Sequence, residues 1–211
     1  DYIEYALSVP MLFIIRQGKW LAMNGLHFEQ FLEKGFGYYR AALGDWILHL
    51  TTIFTEARLK QYIEIRSLDC QKTELGFSAP ALIKGLFYDE KTRQKAWNLL
   101  EGFSTEERQV FAADAALKGL KAEIKGKNLL EIASSLIGWA EEGLERLSEN
   151  GLAGKGEVAY LKPLKETILE RKMTPAELLI NCVDQEGPRE SLTDRIIRCA
   201  DLNFGLHFGR T

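Results

Sequence analysis

The sequence predicts an α+β fold, with a few antiparallel strands followed by a mostly helical C-terminal region. Segments with strand character all precede Leu68, where bulky apolar runs and two-residue alternation occur. From Ala79 onward, apolar residues recur at helical spacing instead. Strands followed by helices are typical of α+β proteins. We therefore expect a strand-containing part at 1–70, a helical region at 71–202 and a tail at 203–211.

The first part of the chain alternates short helical and extended segments. Pro10 ends the helical character of residues 1–7, because its ring does not fit a helix interior. The runs MLFII and WLAM flank the RQGK turn and predict a hairpin over 10–23. The remaining predictions here are a short helix at 27–35 that ends at Gly35 and a helix at 45–54 that Asp45 caps.

A further strand is predicted at about 59–67, where Ile63 and Ile65 alternate with Tyr62, Glu64 and Arg66. Three strands, two of them in one hairpin, make a poor sheet alone. At least one edge of that sheet needs cover or another strand.

The helical region contains one long amphipathic helix, predicted at 128–151 from a regular apolar stripe. Pro80 is expected in the first turn of an earlier helix, and Ser104 or Thr105 caps another. A connector is expected at 148–157. The other predicted helices cover 158–172, which Pro163 is expected to kink, and also 174–183 and 190–202.

Composition and charge exclude several classes of protein. The 27 basic and 30 acidic residues give a formal net charge of −3, which offers no general attraction to nucleic acid. No apolar run approaches the ~20 residues of a membrane span, and no signal peptide opens the chain, so we expect a cytoplasmic location. Three scattered cysteines, without CxxC spacing, predict reduced thiols and neither a zinc site nor a disulfide framework.

The strongest candidate for chemistry is the stretch YIEIR, in which Glu64 and Arg66 share one face of the predicted strand with Tyr62. A carboxylate supplies a hard oxygen for Mg²⁺, and a neighbouring guanidinium forks onto phosphate oxygens. This pair could therefore hold a metal–nucleotide complex. From the residues alone, an exposed strand face with a surface ion pair remains the alternative.

A second candidate lies on the preceding helix, where Trp46 and His49 share a face and Thr51 and Thr52 follow. These side chains could line a small-molecule pocket, or Trp46 and His49 could simply belong to the core. Arg58 and Lys60 are two residues apart just before the predicted strand. They either lie near the mouth of such a pocket or are ordinary solvated charges.

Several of these stretches occur together, in order, in one known family. The segments DYIEYALSVPMLFIIR, GDWILHLTTIFTEARLKQYIEIRSLDC, PALIKGLFYDE and TPAELLI resemble the plant-type and proteobacterial glutamate–cysteine ligases. The resemblance extends from about residue 1 to 185. Its most specific part is 44–70, where a DW…HLTTIF helix precedes the pattern E-x-R-L-K-x-Y-x-E-x-R.

This resemblance implies an ATP-dependent ligase that joins the γ-carboxylate of glutamate to the amine of cysteine, the first step of glutathione synthesis. It implies a glutamine-synthetase-like curved sheet, of which this chain would hold only part. Glu64 would be a Mg²⁺ ligand and Arg66 a catalytic contact to the transferred phosphoryl group. The substrate-binding residues would be Trp46, Thr51, Thr52 and Arg58.

Some features differ from the family pattern. Ser8, Leu12 and Ile15 replace an acid and two tyrosines, so an amine acceptor other than cysteine is possible. Family members also carry a long N-terminal half before this region. We therefore expect the chain to correspond to the C-terminal half, to need the missing half as its partner and to be inactive alone. The alternative is a non-catalytic helical module that binds a partner.

Overall fold

The computed structural model describes residues 1–71, 73–185 and 190–200, so the tail predicted at 203–211 lies outside the described residues. The chain divides into two compact units, Asp1–Asp69 and a second that begins at Cys70. Short antiparallel strand pairs and many helices confirm the predicted α+β class.

The first unit contains three short helices and two antiparallel hairpins. The predicted hairpin and the helices predicted at 27–35 and 45–54 are confirmed, and residues 1–7 are helical as expected, with Asp1 as the cap. The elements are α1 (Tyr2–Ser8), β1 (Phe13–Arg16), β2 (Lys19–Ala22), α2 (Phe28–Lys34), α3 (Leu43–Thr52), β3 (Ala57–Leu59) and β4 (Ile63–Ile65).

The core of this unit lies between the first hairpin and α2. Ile14 of β1 and Phe31 of α2 are fully buried, and Met11, Met23 and Phe28 complete the cluster. The two-residue turn between β1 and β2 places Gln17 and Gly18 at positive φ angles of 49° and 74°. This conformation matches the twist of a hairpin and explains the glycine there.

Two predictions for this unit are wrong in detail. The single strand expected at 59–67 is a hairpin, because the chain reverses at residues 60–62 and β3 pairs with β4. The predicted cap Asp45 lies one turn inside α3, which begins after Ala42. Its carboxylate accepts a hydrogen bond from the Ala42 backbone N–H and binds Arg16 through both oxygens.

The second unit is a helical assembly built around the long helix that the sequence predicts. Its elements are α4 (Thr73–Phe87), α5 (Glu90–Leu100), α6 (Thr105–Lys118), β5 (Glu123–Ile124), β6 (Lys127–Asn128), α7 (Leu129–Glu149), α8 (Lys162–Lys165), α9 (Pro175–Asp184) and α10 (Leu192–Ala200). A 3₁₀ turn precedes α8 and a π-type turn follows it, so residues 157–170 form one helical stretch.

The helices α4 and α7 cross at glycines. A Cβ atom at Gly143 would lie 2.0 Å from the carbonyl oxygen of Gly85, and one at Gly85 would lie 2.3 Å from that of Ala140. Because no side chain separates the backbones there, the flanking residues Leu86 and Leu144 pack into one buried cluster. The close approach therefore depends on glycine at both positions.

Other predictions for the second unit need correction. Pro80 does not begin α4 but lies inside it, since the helix starts seven residues earlier at Thr73. The chain between α6 and α7 forms an unpredicted small hairpin, β5–β6, with Lys125 and Gly126 at positive φ. Of the two candidate caps of α6, Ser104 is the observed one. The helix predicted at 174–183 is α9, and Thr174 caps it with Pro175 in its first turn.

The expected set of reduced thiols is wrong for two of the three cysteines. Cys182 of α9 and Cys199 of α10 form a disulfide, whereas Cys70 is free and exposed. The sequence did not reveal this pair because the two helices bring together cysteines 17 positions apart. Among the described residues, no helix is both long and apolar enough to cross a membrane.

Candidate functional site

The candidate site lies on the β3–β4 hairpin, directly after α3. Arg58 of β3 stands opposite Glu64 of β4 in the antiparallel register, so both side chains lie on the same face. Arg66 follows β4 by one residue, and its backbone N–H donates to the carbonyl oxygen of Glu56. The hairpin therefore brings Arg58, which was expected just before the predicted strand, opposite Glu64, which was expected on it.

Glu64 is the centre of this arrangement, because three cations contact its two carboxylate oxygens. Arg58 donates to Oε2 from Nε at 2.9 Å and from Nη2 at 2.7 Å, and Lys60 Nζ lies 3.2 Å from the same oxygen. Arg66 donates from Nη1 to Oε1 at 3.0 Å. Hydrogen bonding from Arg58 is the largest cause that lowers the pKa of Glu64 to about 2, so the carboxylate is ionised at neutral pH.

Arg58 serves as an internal support in this arrangement. Only 6% of the residue is exposed, and its remaining terminal nitrogen donates to the backbone oxygens of Thr51 and Ile53. These acceptors tie the hairpin to the end of α3. Because its nitrogens already have acceptors in the protein, Arg58 is better suited to hold Glu64 than to contact a ligand.

Arg66 and Lys60 are more open to solvent than Arg58. The side chain of Arg66 is 31% exposed and that of Lys60 is 24% exposed. The Phe54 ring lies beside both arginines, with centroid distances of 5.9 Å to Arg58 Cζ and 5.2 Å to Arg66 Cζ. Such cation–π contacts limit the orientations of the guanidinium groups.

We call Arg58, Lys60, Glu64 and Arg66 the Glu64 cluster. Three of its side chains are positive and one is negative, so the cluster has a surplus of positive charge at neutral pH. Arg66 keeps two of its nitrogens free of the contacts to Glu64, and a guanidinium fork of this kind binds phosphate or carboxylate oxygens well. The arrangement therefore suits the binding of an anionic group.

The second predicted constellation lies on α3, and the structure divides it between core and surface. Trp46 packs edge-on against Phe28, with their ring centroids 4.8 Å apart, and His49 is 2% exposed. Both residues therefore contribute to the core of the first unit. His49 Nε2 lies 2.8 Å from the Ala6 carbonyl oxygen of α1. Burial lowers the pKa of His49, which favours the neutral imidazole.

The two threonines of α3 occupy its last turn. The hydroxyl of Thr51 donates to the Leu48 carbonyl at 2.6 Å, and that of Thr52 donates to the His49 carbonyl at 2.8 Å. Thr51 is also linked to the Glu64 cluster, since its own carbonyl oxygen accepts from Arg58 at 2.5 Å. Their roles as substrate-binding residues stay predictions, as does that of Trp46.

Sequence reasoning missed one member of the site and the main contact within it. Phe54 was only the last residue of the helix predicted at 45–54, and its exposed fraction is 71%. The pairing of Arg58 with Glu64 was also missed, because it exists only if the chain reverses between them. The signal that could have revealed it is the cross-strand pairing of opposite charges six residues apart.

The cluster does not by itself complete a magnesium site. Among the described residues, no group of three or more His, Cys, Asp or Glu side chains lies close enough to hold a metal ion. Mg²⁺ prefers six oxygen ligands, and Glu64 supplies one carboxylate that already contacts three cations. The described residues of this chain therefore do not make up a complete magnesium site by themselves, and Glu64 as one ligand of such a site stays a prediction.

Comparisons with known proteins agree on one family. The family described as glutamate–cysteine ligase family 2 (GCS2) matches residues 1–196. Relatives include the chloroplastic glutamate–cysteine ligase of Brassica juncea, 35% identical over 88% of this chain, and that of Arabidopsis thaliana, 33% identical over 88%. Glutamate–cysteine ligase A of Oryza sativa subsp. indica, also chloroplastic, is 31% identical over 89%.

The lengths of these relatives and their named location add two facts. The match covers 35% to 37% of the length of each relative, so this chain spans little more than a third of their length. All three relatives are named as chloroplastic proteins, which contradicts the cytoplasmic location expected from the sequence.

Proposed function

The chain belongs to glutamate–cysteine ligase family 2, and from this premise we propose that it is the C-terminal portion of an ATP-dependent glutamate–cysteine ligase. The complete enzyme, which we call the parent protein, would join the γ-carboxylate of glutamate to the amine of cysteine and form γ-glutamylcysteine. The product is the first intermediate of glutathione biosynthesis.

The observation that carries this proposal is the Glu64 cluster, since it is built for an anion and lies in the part of the chain that the family matches. Activation of a carboxylate by ATP transfers a phosphoryl group that carries negative charge throughout. Such a transfer depends on positioning and on charge stabilisation more than on covalent help from the protein. A surplus of fixed positive charge supplies that stabilisation.

Within the cluster, we assign different roles to the two arginines. Arg66 would contact the transferred phosphoryl group, because two of its nitrogens make no contact with Glu64 and its side chain is partly exposed. Arg58 was predicted to be a substrate-binding residue. Its burial and its internal acceptors favour the supporting role of keeping Glu64 and Thr51 in position.

The predicted substrate-binding residues of α3 support the proposal less directly. Thr51 and Thr52 end the helix that leads into the hairpin, so they would lie near the bound amino acids. Trp46 would act mainly by holding α3 against Phe28 of the core.

The proposed cofactors are ATP and Mg²⁺. Glu64 remains our proposed contribution to the metal site, because an ionised carboxylate is a hard oxygen ligand. The other ligands would have to come from the rest of the parent protein. That remainder is also the proposed partner of this chain, and the names of the relatives support a plastid location for it.

The test is a turnover assay of the parent protein with ATP, glutamate and cysteine. We expect phosphate release that requires both amino acids, and γ-glutamylcysteine as the product detected by mass spectrometry. Other small amines in place of cysteine serve as controls for acceptor choice, since Leu12 and Ile15 differ from the family pattern. Phosphate release without either amino acid, or a product without glutamate, would contradict the proposal. The 211-residue chain alone should show no turnover.

A further inference from the structure

Two helices of the second unit are joined by a covalent bond that family membership does not explain. Cys182 of α9 is bonded to Cys199 of α10, with their Cα atoms 5.9 Å apart. The residues that match the family end at 196, so Cys199 lies beyond them. The disulfide is therefore a feature of this chain that calls for an account of its own.

Apart from the disulfide, the described part of the chain buries little of helix α10. It is nine residues long, and Cys199 is its only buried residue. Its large apolar side chains stay open to solvent, with Ile196 47% exposed and Ile197 64% exposed. An isolated helix of this length is marginal in water, so α10 depends on its attachment to α9.

The hydrogen bonds and ion pairs of α10 with other described residues are mostly exposed. Arg195 donates to the Val183 carbonyl oxygen at 3.0 Å, and Arg198 pairs with Glu190 at 2.9 Å. Exposed ion pairs of this kind contribute less than about 1 kcal/mol. Among the described contacts between α9 and α10, the disulfide is the covalent one, and the polar ones join Arg195 to Val183 and Arg198 to Cys182.

The two sulfur atoms differ in their surroundings. Cys199 is 2% exposed, whereas Cys182 is half-buried and more open to an incoming group. The Nη1 atom of Arg198 lies 3.7 Å from Cys182 Sγ. A guanidinium beside sulfur stabilises the thiolate form and attracts an incoming thiolate.

We propose that the Cys182–Cys199 bond is a thiol–disulfide exchange site for a dithiol reductant, and that its reduction releases α10 from α9. The reductant's thiolate attacks Cys182 Sγ, the Sγ–Sγ bond breaks, and Cys199 leaves as a thiolate that takes up a proton. The second thiol of the reductant then loses its proton and displaces Cys182, whose thiolate faces Arg198 until it is protonated. Two electrons and two protons pass from the dithiol, which becomes a disulfide.

The experiment compares hydrogen exchange of the 211-residue chain, measured by mass spectrometry, before and after reduction with dithiothreitol. We expect the amides of α10 to exchange at least about fivefold faster after reduction, while those of α7 stay unchanged. Alkylation with a mass tag should find one free thiol before reduction and three after it.

Two cysteine variants separate the effect of the bond from that of the reagent. Cys199→Ser should show fast exchange of α10 with and without dithiothreitol. Cys70→Ser, which removes the free and exposed thiol, should behave like the unmodified chain. Equal exchange of α10 in the oxidised chain, the reduced chain and Cys199→Ser would overturn the proposal. So would three free thiols in the chain before reduction.

A third variant tests the part assigned to Arg198. Arg198→Gln should slow the reduction of the disulfide by dithiothreitol, followed by alkylation over time, and leave Cys70 reactivity unchanged. A reduction rate equal to that of the unmodified chain would show that Arg198 does not assist the exchange. Hydrogen exchange, thiol counting and the reduction rate do not require ligase activity, so these results are independent of the proposed function.

Discussion

The two units of the chain differ in what fills the space between their elements. In the helical unit, the backbones of α4 and α7 come together at Gly85 and Gly143, and apolar clusters surround the crossing. In the first unit, a small apolar core lies between the first hairpin and α2, and the β3–β4 hairpin carries the Glu64 cluster, in which Glu64 is only partly exposed. The residues at the crossing in the helical unit stabilise the fold, whereas the first unit also carries charged residues that suit an anionic ligand.

The largest effect on stability is expected at the helix crossing. Gly143→Ala places a methyl group where only 2.0 Å separates the Cβ position from the Gly85 carbonyl oxygen. A backbone atom cannot move aside as a side chain would, so the helices must separate. We expect a loss of about 3 kcal/mol in the free energy of unfolding, measured by urea denaturation with circular dichroism.

The same helix provides a matched control for this change. Gly138 also lies in α7, but a Cβ atom there would meet nothing within 4 Å. Gly138→Ala should leave the free energy of unfolding unchanged or raise it by up to about 1 kcal/mol, because alanine favours the helix. Equal losses for the two variants would contradict the role of the close crossing.

A smaller difference is expected between the two arginines that contact Glu64. Arg58→Met removes a buried guanidinium and leaves the Thr51 carbonyl without its donor, which should cost about 2 kcal/mol. Arg66→Met removes a partly exposed ion pair and should cost less than about 0.5 kcal/mol. Urea denaturation followed by tryptophan fluorescence measures both, and a reversed order would refute the assignment of Arg58 as the support.

The smallest effect concerns the pH dependence of the first unit. Burial lowers the pKa of His49 below its ordinary value of about 6.5, so the unfolded chain binds this proton more readily. The stability contribution of neutral His49 is therefore complete above pH 6.5 or so and declines as the pH falls below it. His49→Gln retains a donor for the Ala6 carbonyl and should flatten the decline between about pH 7 and 5. If the stability of the variant declines just as steeply with falling pH, titratable groups other than His49 cause the decline.

The parts of the fold that the sequence revealed are those in which local pattern and final structure coincide. The apolar stripe of α7 and the Thr174–Pro175 start of α9 each specify a helix without reference to distant residues. The β1–β2 hairpin was found for the same reason, since apolar runs flank a turn that contains Gly18.

The missed features depend on chain reversals without clear local signals. Residues 60–62, which carry the letters KQY, reverse the chain between β3 and β4 without the glycine or asparagine typical of such turns. The pairing of Arg58 with Glu64 follows from that reversal, so it could not be read from strand alternation. The disulfide was missed likewise, because it requires the folding of α10 back onto α9.

The most direct test of the proposed function is the kinetics of Arg66→Gln in the parent protein, with ATP, glutamate and cysteine as substrates. We propose that Arg66 supplies charge during phosphoryl transfer, and its partly exposed ion pair adds little stability, so we expect kcat to fall by about a hundredfold or more with an unchanged melting temperature. Turnover equal to that of the unmodified enzyme would contradict the assignment of the Glu64 cluster to the reaction.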